Sequence, residues 1–443
     1  MIFSVFLPFK METRELYSLF QQSKGVTTDT RSCSEGMMFF ALRGERFNGN
    51  AYAHQALDAG CSYAVVDDAQ YADPADTRII LVDDTLKALQ QLARHHRRQL
   101  GTPIIGITGT NGKTTTKELV AAVLSRKFNA HYTHGNLNNA IGVPLTLLQL
   151  KAEHEIAIVE MGASHPGDIR ELVEIAEPDC GIITNVGRAH LQGFGSFEGV
   201  IRTKGELYDF LRTKSNSLIF LHNDNPYLRA ISTGLETVRY GSPCDESLAV
   251  SGEVTECDPF LHFSWSSEAD GTHHVSTHLV GRYNVDNALC AVAVGLHFGV
   301  SADDIDGAIA SYQPTNSRSQ LLQTEHNTLI VDAYNANPTS MRASLENFDC
   351  MQAAHKMVIV GDMKELGEAS AEEHQGILHL LMQLHFDKVW TVGQNFADST
   401  CPFENFADAE AVIERLKKER PEGTTILVKG SNSMKLSTLT DYL

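Results

Sequence analysis

A glycine-rich stretch, Gly106-Ile107-Thr108-Gly109-Thr110-Asn111-Gly112-Lys113-Thr114-Thr115-Thr116, stands between an apolar β-branched run and a helical pattern. Strand, turn and helix in that order put backbone N–H groups at a helix N-terminus, where they can receive a phosphate. Lys113 would reach the β- and γ-phosphates and the Thr114 hydroxyl would hold Mg²⁺. The usual G-x-x-x-x-G-K-[ST] pattern departs at its first glycine, where Ile107 stands, so Gly109 and Gly112 supply the flexible points. Such a loop implies a nucleoside triphosphate and leaves kinase, motor and ligase chemistry open.

Three further residues could act beside it. Glu160 closes the apolar run Ile156–Glu160. A carboxylate at the C-terminal end of a parallel strand, beside the P-loop strand, is placed to bind Mg²⁺. His190 follows the segment Thr184-Asn185-Val186-Gly187-Arg188-Ala189 that leaves the next strand, and its imidazole could ligate a second metal. Lys204, in Arg202-Thr203-Lys204-Gly205-Glu206, reads from spacing alone as a helix-surface lysine.

The elements that must carry these residues alternate short β-branched runs with helical patterns, the mark of parallel α/β sheets. The expected fold class is therefore α/β in three domains. Residues 1–100 form a smaller N-terminal α/β domain, 101–314 a central domain with a parallel P-loop sheet, and 315–443 a Rossmann-like C-terminal domain. In the first, a helix is expected over Met11–Gln22, strands over Met38–Leu42, Tyr63–Asp67 and Ile79–Asp83, and a helix over Thr85–Gln99. The run Arg94-His95-His96-Arg97-Arg98 then reads as a solvated helix end favoured by the helix dipole. In the second, strands are expected at Ile104–Thr108, Ile156–Glu160, Cys180–Asn185 and Leu218–His222, and helices at Lys113–Lys127, Asn284–Phe298 and Ala302–Ser311. The alternating stretch 245–280 reads as antiparallel strands, with His273, His274 and His278 as exposed strand residues rather than metal ligands. The polar turn Tyr312–Ser317 is the expected hinge. Beyond it, strands Thr328–Asp332, Met357–Gly361, Lys388–Val392 and Thr425–Lys429 alternate with helices Ser340–Phe348, Ala371–Leu384 and Ala407–Lys418.

Composition bounds the partners. The 443 residues carry 36 Lys+Arg against 55 Asp+Glu, a net charge of −19. Such a chain lacks the basic surface of a general nucleic-acid binder and is not expected to adhere to anionic membrane. No apolar run approaches the ~20 residues that span a bilayer. The greasy opening MIFSVFLPFK has no basic start and no small-residue cleavage site, so residues 1–10 read as an upstream extension. Eight scattered cysteines without a C-x-x-C pair point to reduced thiols and a cytoplasmic setting.

The run Gly109–Thr116 resembles the P-loop variant of the Mur ligases and folylpolyglutamate synthases. The segments Gly135-Asn136-Leu137-Asn138-Asn139-Ala140-Ile141-Gly142-Val143-Pro144, Glu160-Met161-Gly162, Thr184 to His190 and Lys204-Gly205-Glu206 are similar to the Mur ligase middle domain. Asp332-Ala333-Tyr334-Asn335-Ala336-Asn337-Pro338 and Gly361-Asp362-Met363-Lys364-Glu365-Leu366-Gly367-Glu368 extend the resemblance into the third block. It implies an ATP-dependent amide ligase of peptidoglycan synthesis whose substrates are UDP-N-acetylmuramoyl-tripeptide and D-Ala-D-Ala, acting through an acyl phosphate. It also implies a monomer and two Mg²⁺ ions.

Carried onto this chain, the resemblance gives Lys113, His190 and Lys204 catalytic roles. Thr114, Glu160, His190 and Lys204 become metal positions, with Lys204 carbamylated. Gly109, Thr110, Asn111, Gly112, Lys113, Thr114 and Thr115 cradle ATP. Asn284, in Gly281-Arg282-Tyr283-Asn284-Val285-Asp286-Asn287-Ala288, would contact the adenine, and from its position it could equally cap a helix. Arg318 would touch phosphate and Asp332 the ribose hydroxyls. Thr28, Asp29, Thr30 and Arg31 resemble the UDP-sugar entrance, and Asn138 and Asn139 lie between nucleotide and muramoyl substrate. Asn335 and Lys364 face the nucleotide or the incoming dipeptide, or else shape their loops.

Two departures stand out against that pattern: Asn48-Gly49-Asn50 where Asp-Gly-His is common, and Ala333 where Ser is common. Two other readings compete. One is a Mur-type ligase for a single amino acid, whose Asp-Asn-Pro-Arg signature is matched only by Asp224-Asn225-Pro226-Tyr227 in the middle block. The other is a non-catalytic nucleotide-sugar binder, against which the full set Lys113, Thr114, Glu160, His190 and Lys204 argues.

Overall fold

The computed structural model describes residues 10–73, 75–243, 247–314 and 318–443. Most of the expected upstream extension, Cys244 and the last three residues of the expected hinge lie outside them. Two compact units divide the chain: Met1–Gly106 with Phe128–Gly162 and Asp168–Asp179, and Ile107–Lys127 with Ala163–Gly167 and Cys180–Leu443.

In the first unit, Val26–Thr27, Met38–Phe40, Tyr63–Val66 and Ile79–Leu81 form a parallel four-stranded sheet in that order. These β-branched and aromatic runs are buried on both faces, as a covered parallel sheet requires. Phe39, Ala41, Ala53, Ala56, Ala64 and Val66 share its core. The helix Thr85–Leu100 starts at Asp84, whose side chain accepts from Lys87 N, and stops at Gly101 with φ +68°. Its basic run is a solvated end only in part. Arg94, Arg97 and Arg98 all pair with the carboxylate of Glu177, and His96 and Arg97 are buried. The shared carboxylate gathers the run's inner side, while the Arg98 side chain stays exposed. Further along the unit, Ala130–Tyr132 runs parallel to Ile156–Glu160. Ala157 N donates to Pro103 O at 2.9 Å, which ties that strand to the chain entering Ile104–Thr108.

In the second unit, Cys180–Ile183, Leu218–His222, Glu236–Gly241 and Val250–Cys257 pair in parallel succession. The last of these continues into an antiparallel meander with Phe260–Ser267 and Gly271–Val280, as the alternation over 245–280 implies. His274 and His278 are exposed. His273 is not: it stacks on Trp265 at 4.3 Å, and Asp306 accepts from Trp265 Nε1 and contacts His273 Nδ1. The C-terminal sheet runs Gln320–Gln323, Thr328–Asp332, Thr425–Lys429, Lys356–Gly361, Lys388–Val392, Glu404–Phe406. Only its Gln320–Gln323 edge is antiparallel. One core, with Met341, Leu345, Phe348, Val358 and Leu378, covers one face of this sheet. A second, with Trp390, Ile359, Val412 and Leu436, covers the other. Ala333 is buried in that second core, where a serine hydroxyl would need a partner.

Among the described residues no helix is long and apolar enough to cross a membrane, and the seven described cysteines are free thiols.

Candidate active site

The phosphate cradle belongs to the second unit and is wired to the loop that leaves Cys180–Ile183. Gly109 has φ +143°, and a Cβ there would lie 2.0 Å from Thr184 Oγ1. Gly112 has φ +78° and caps the helix Lys113–Leu124, and its Cβ would lie 2.5 Å from Asn287 Oδ1. Both glycines are thus required by conformation and by space. Thr110 N donates to Asn185 O at 2.9 Å, and Gly187 N donates to Thr110 Oγ1 at 2.9 Å. Asn111 N donates to Asn185 Oδ1 at 3.0 Å. Lys113 folds back, its Nζ donating to Gly109 O at 2.8 Å and Thr110 O at 3.0 Å. Thr114 is buried in the first helical turn and Thr115 half-buried beside it.

Asn284 is the first residue of the helix Asn284–His297, and its side chain does not cap that helix. Nδ2 donates back to Val280 O at 2.9 Å, and Oδ1 accepts from Asn287 Nδ2 at 2.9 Å. Asn287 in turn accepts from Thr116 Oγ1 at 2.9 Å, so two asparagines brace the cradle helix from behind.

His190 has φ +50° and starts the short helix Leu191–Phe194. Its Nδ1 lies in ion-pair contact with Glu365 of the C-terminal segment. Burial holds its pKa below the usual range; Glu365 opposes this, while Lys113 and Lys204 add to it. Lys204 lies on the helix Phe197–Arg212, whose start is capped by Ser196. It is only 2% exposed, so it sits on the buried face and not at the surface. Its Nζ stands 3.5 Å from Ala163 O and 5.4 Å from the Phe194 ring centre.

Residues of the C-terminal segment come to the same unit. Arg318 lies 4.0 Å over the Tyr334 ring, and its buried Nε makes no hydrogen bond among the described residues. Asp332 closes its strand in an ion pair with Lys429, which is buried on the neighbouring strand. Asn335 is exposed, and its Oδ1 accepts from Ala336 N at 2.9 Å. Lys364 pairs with buried Asp362 at 3.3 Å. Asp362 also accepts from Asn395 N at 3.1 Å and Phe396 N at 3.2 Å, and His374 Nε2 accepts from Met363 N at 3.0 Å. The loop that presents Lys364 is therefore anchored from below. Arg188 ties this segment to the middle one, pairing with Glu373 at 3.0 Å and donating through its N–H to Thr339 Oγ1 at 3.2 Å.

The first unit holds the remaining candidates. Glu160 is 1% exposed, takes Asn138 Nδ2 at 2.9 Å, and has its N–H on Thr133 Oγ1 at 3.0 Å. Asn139 accepts from Ile141 N and Gly142 N, shaping the turn into the helix Gly142–Leu147. Asp29 accepts from Arg31 N and pairs with the Arg31 guanidinium, which pulls its carboxyl down to about 2. The turn Thr30–Ser32 follows from that cap, with Thr28 and Thr30 half-buried beside it. The departure at Asn50 has a clear role. Fully buried, its Nδ2 donates to Asn48 Oδ1 at 2.8 Å and Asp67 Oδ1 at 2.9 Å, and its Oδ1 accepts from Asp67 N at 2.9 Å. Asp224-Asn225-Pro226 likewise serves structure, Asn225 capping the helix Pro226–Ile231.

Sequence reasoning passed over the roles of Asn185, Asn287, Asn337, Asp362, Glu365 and Lys429. Asn337 alone carried a local signal, an asparagine before a proline that opens a helix.

A triphosphate cradle, a buried lysine and an imidazole on one α/β unit define a nucleotide-using ligase, and the chain belongs to the Mur ligase family. Residues 22–97 match the family's catalytic domain, 107–295 its middle domain and 317–432 its glutamate ligase domain. The UDP-N-acetylmuramoyl-tripeptide–D-alanyl-D-alanine ligase of Bacillus subtilis (strain 168) is 36% identical over 424 residues, covering 93% of this chain and 91% of that protein. The ligase of the same name from Escherichia coli (strain K12) is 36% identical over 419 residues, with 92% and 91% covered. A crystal structure of MurF from Acinetobacter baumannii superposes with TM-score 0.85 at 31% identity over 98% of both chains. MurF from Thermotoga maritima in complex with ADP gives 0.84 at 27% identity over 96% of this chain and 97% of that one.

Proposed function

We propose that this chain is the ATP-dependent ligase that joins D-Ala-D-Ala to the C-terminal carboxylate of UDP-N-acetylmuramoyl-tripeptide. The observation that carries this reading is 36% identity, over more than nine-tenths of the chain, to ligases of that name. ATP is the phosphoryl donor. The tripeptide carboxylate attacks the γ-phosphorus and ADP leaves, which gives an acyl phosphate. The dipeptide amine then attacks the acyl carbon, phosphate leaves with the C–O bond electrons, and the amine gives up a proton.

Each partner in the first step is anionic, so the chain must offset repulsion before bonds change. The backbone amides at the helix start, Gly112–Thr115, receive the phosphates, those of Thr110 and Asn111 being held by Asn185. Lys113 exchanges its two carbonyl partners for phosphate oxygens and follows the γ-phosphoryl as it transfers. Asn138 and Asn139 stand on the muramoyl side, and Thr28–Arg31 receive the uridine diphosphate. Arg318 and Asp332 address phosphate and ribose, while Asn284, with both amide atoms bonded to Val280 and Asn287, serves the adenine end by setting the cradle helix rather than by a side-chain bond of its own; Asn335 and Lys364 address the nucleotide or the dipeptide.

Thr114, Glu160, His190 and Lys204 would hold two Mg²⁺ ions. Among the described residues no three His, Cys, Asp or Glu side chains stand together as a metal set. With a single carboxylate available, an oxygen-rich shell needs the Thr114 hydroxyl and a carbamate on Lys204. Burial of Lys204 would shelter such a carbamate from bulk solvent. Magnesium in that shell would neutralise charge between the carboxylate and the γ-phosphate. The division into 1–100, 101–314 and 315–443, a monomeric state, a cytoplasmic setting and a part in cell shape and division complete the proposal.

Phosphate release from ATP tests it. Release is expected only with UDP-N-acetylmuramoyl-tripeptide and D-Ala-D-Ala together. Release with a single amino acid would make this a different Mur-type ligase, and none under any condition would leave a nucleotide-sugar binder. Lys204→Ala should lose activity and regain part of it with short carboxylic acids. Full activity in that variant would remove the carbamate.

A further inference from the structure

Asn111 stands in the middle of the cradle with its main chain already fixed. Its N–H is taken by Asn185, and its carbonyl accepts from Thr184 Oγ1 at 2.6 Å and Asn185 Nδ2 at 3.1 Å. Its side-chain amide turns to Asn337, 226 residues along the chain. Asn337 Nδ2 donates to Asn111 Oδ1 at 2.7 Å, and Asn111 Nδ2 faces Asn337 Oδ1 at 3.4 Å.

The orientation of Asn337 is determined by its other bonds. It caps the helix Pro338–Cys350, its Oδ1 accepting from Ser340 N at 2.9 Å while Ser340 Oγ accepts from its N–H at 3.2 Å. Flipping the amide would set a donor against the Ser340 N–H, so Nδ2 must point at the P-loop. Asn337 is 5% exposed, so the bond is sheltered from water. The segment that follows Asp332 thus reads the position of the cradle with a buried donor.

We propose that Asn337 is a positioning residue for ATP: its amide orients the Asn111 side chain at the mouth of the phosphate cradle, and does so only while the Asp332–Pro338 segment stands against it. The ligase reading above is the premise. Nucleotide binding and the seating of the C-terminal segment then favour one another through one shared bond.

Two substitutions separate this from helix capping. Asn337→Thr keeps an acceptor for Ser340 N but is too short to reach Asn111 Oδ1. Asn337→Ser also caps and cannot reach the loop. Both should raise the KM for ATP about tenfold, the scale of a lost buried hydrogen bond. The KM for the UDP substrate should stay at its parental value, and the melting temperature without nucleotide should fall no further than in Asn111→Ala, as it would if the helix cap were lost. Asn111→Ala should show the same loss, and Asn111→Ala with Asn337→Ser no further one. Calorimetric titration with ADP should show the same weakening independently of turnover, so a failed ligase reading would not be mistaken for a failed Asn337 role. Parental ATP and ADP affinity in both 337 variants, or losses that multiply in the double variant, would overturn the proposal.

Discussion

Lys113 and Gly109 show two ways in which one residue can decide function. Lys113 carries the only side-chain cation within the Gly109–Thr115 cradle. Lys113→Ala should cut turnover by about a thousandfold or more, the scale of losing a preorganised charge at a transferring group. Steady-state phosphate release at saturating substrates checks this. Gly109→Ala instead fails through space: its methyl would enter the Thr184 hydroxyl, on a backbone angle that side chains avoid. Nucleotide binding should vanish while circular dichroism stays parental. Asn50 illustrates a residue whose loss costs stability alone. Asn50→Ala would strip two bonds from half-buried Asp67, at a cost of about 1–3 kcal/mol in chemical denaturation, without touching the phosphoryl-transfer residues.

Elements were easier to read from the chain than surfaces. Strands such as Ile104–Thr108, Ile156–Glu160, Leu218–His222 and Thr425–Lys429 appear with their expected bounds, because their apolar runs are short, β-branched and buried on both sides. Ala130–Tyr132, Glu236–Gly241, Gln320–Gln323 and Glu404–Phe406 carry too few apolar residues to stand out, and long-range pairing makes them strands. The same limit hid the clasp on Glu177, the Asp306 partnership of His273 and the burial of Lys204. Each depends on a neighbour remote in sequence. Two buried histidines make an element-scale prediction. His96 donates to Leu150 O and His131 to Thr146 O, each through Nε2 at 2.9 Å, and burial lowers both pKa values. The unfolded chain accepts these protons from about pH 6.5 downward, while the folded chain refuses them until lower pH. Their contribution is complete above pH 6.5 and drains away as acid is added. Melting temperature should therefore fall between pH 6.5 and 5.5, with a shallower slope in the His96→Gln/His131→Gln double variant.

For the molecule as a whole, the proposed roles place two ligands on four stretches of chain, and hydrogen exchange can map them together. UDP-N-acetylmuramoyl-tripeptide should slow exchange around 28–31 and 138–139. An ATP analogue should do so around 109–115 and 332–338. Protection confined to one stretch whichever ligand is added would break the assignment.

Glu177 carries a last consequence. The first unit is stitched from three separated pieces, and this carboxylate, in the third of them, is what gathers three guanidinium groups on a helix made some eighty residues earlier. On the ribosome, that helix must wait with its charges uncompensated until the stretch through Asp179 has emerged. A truncated product ending near Gly106 would keep its sheet strands yet expose a repelling cationic knob. Anyone wishing to express the N-terminal stretch alone should therefore graft in residues 168–179 instead of cutting at the apparent linker.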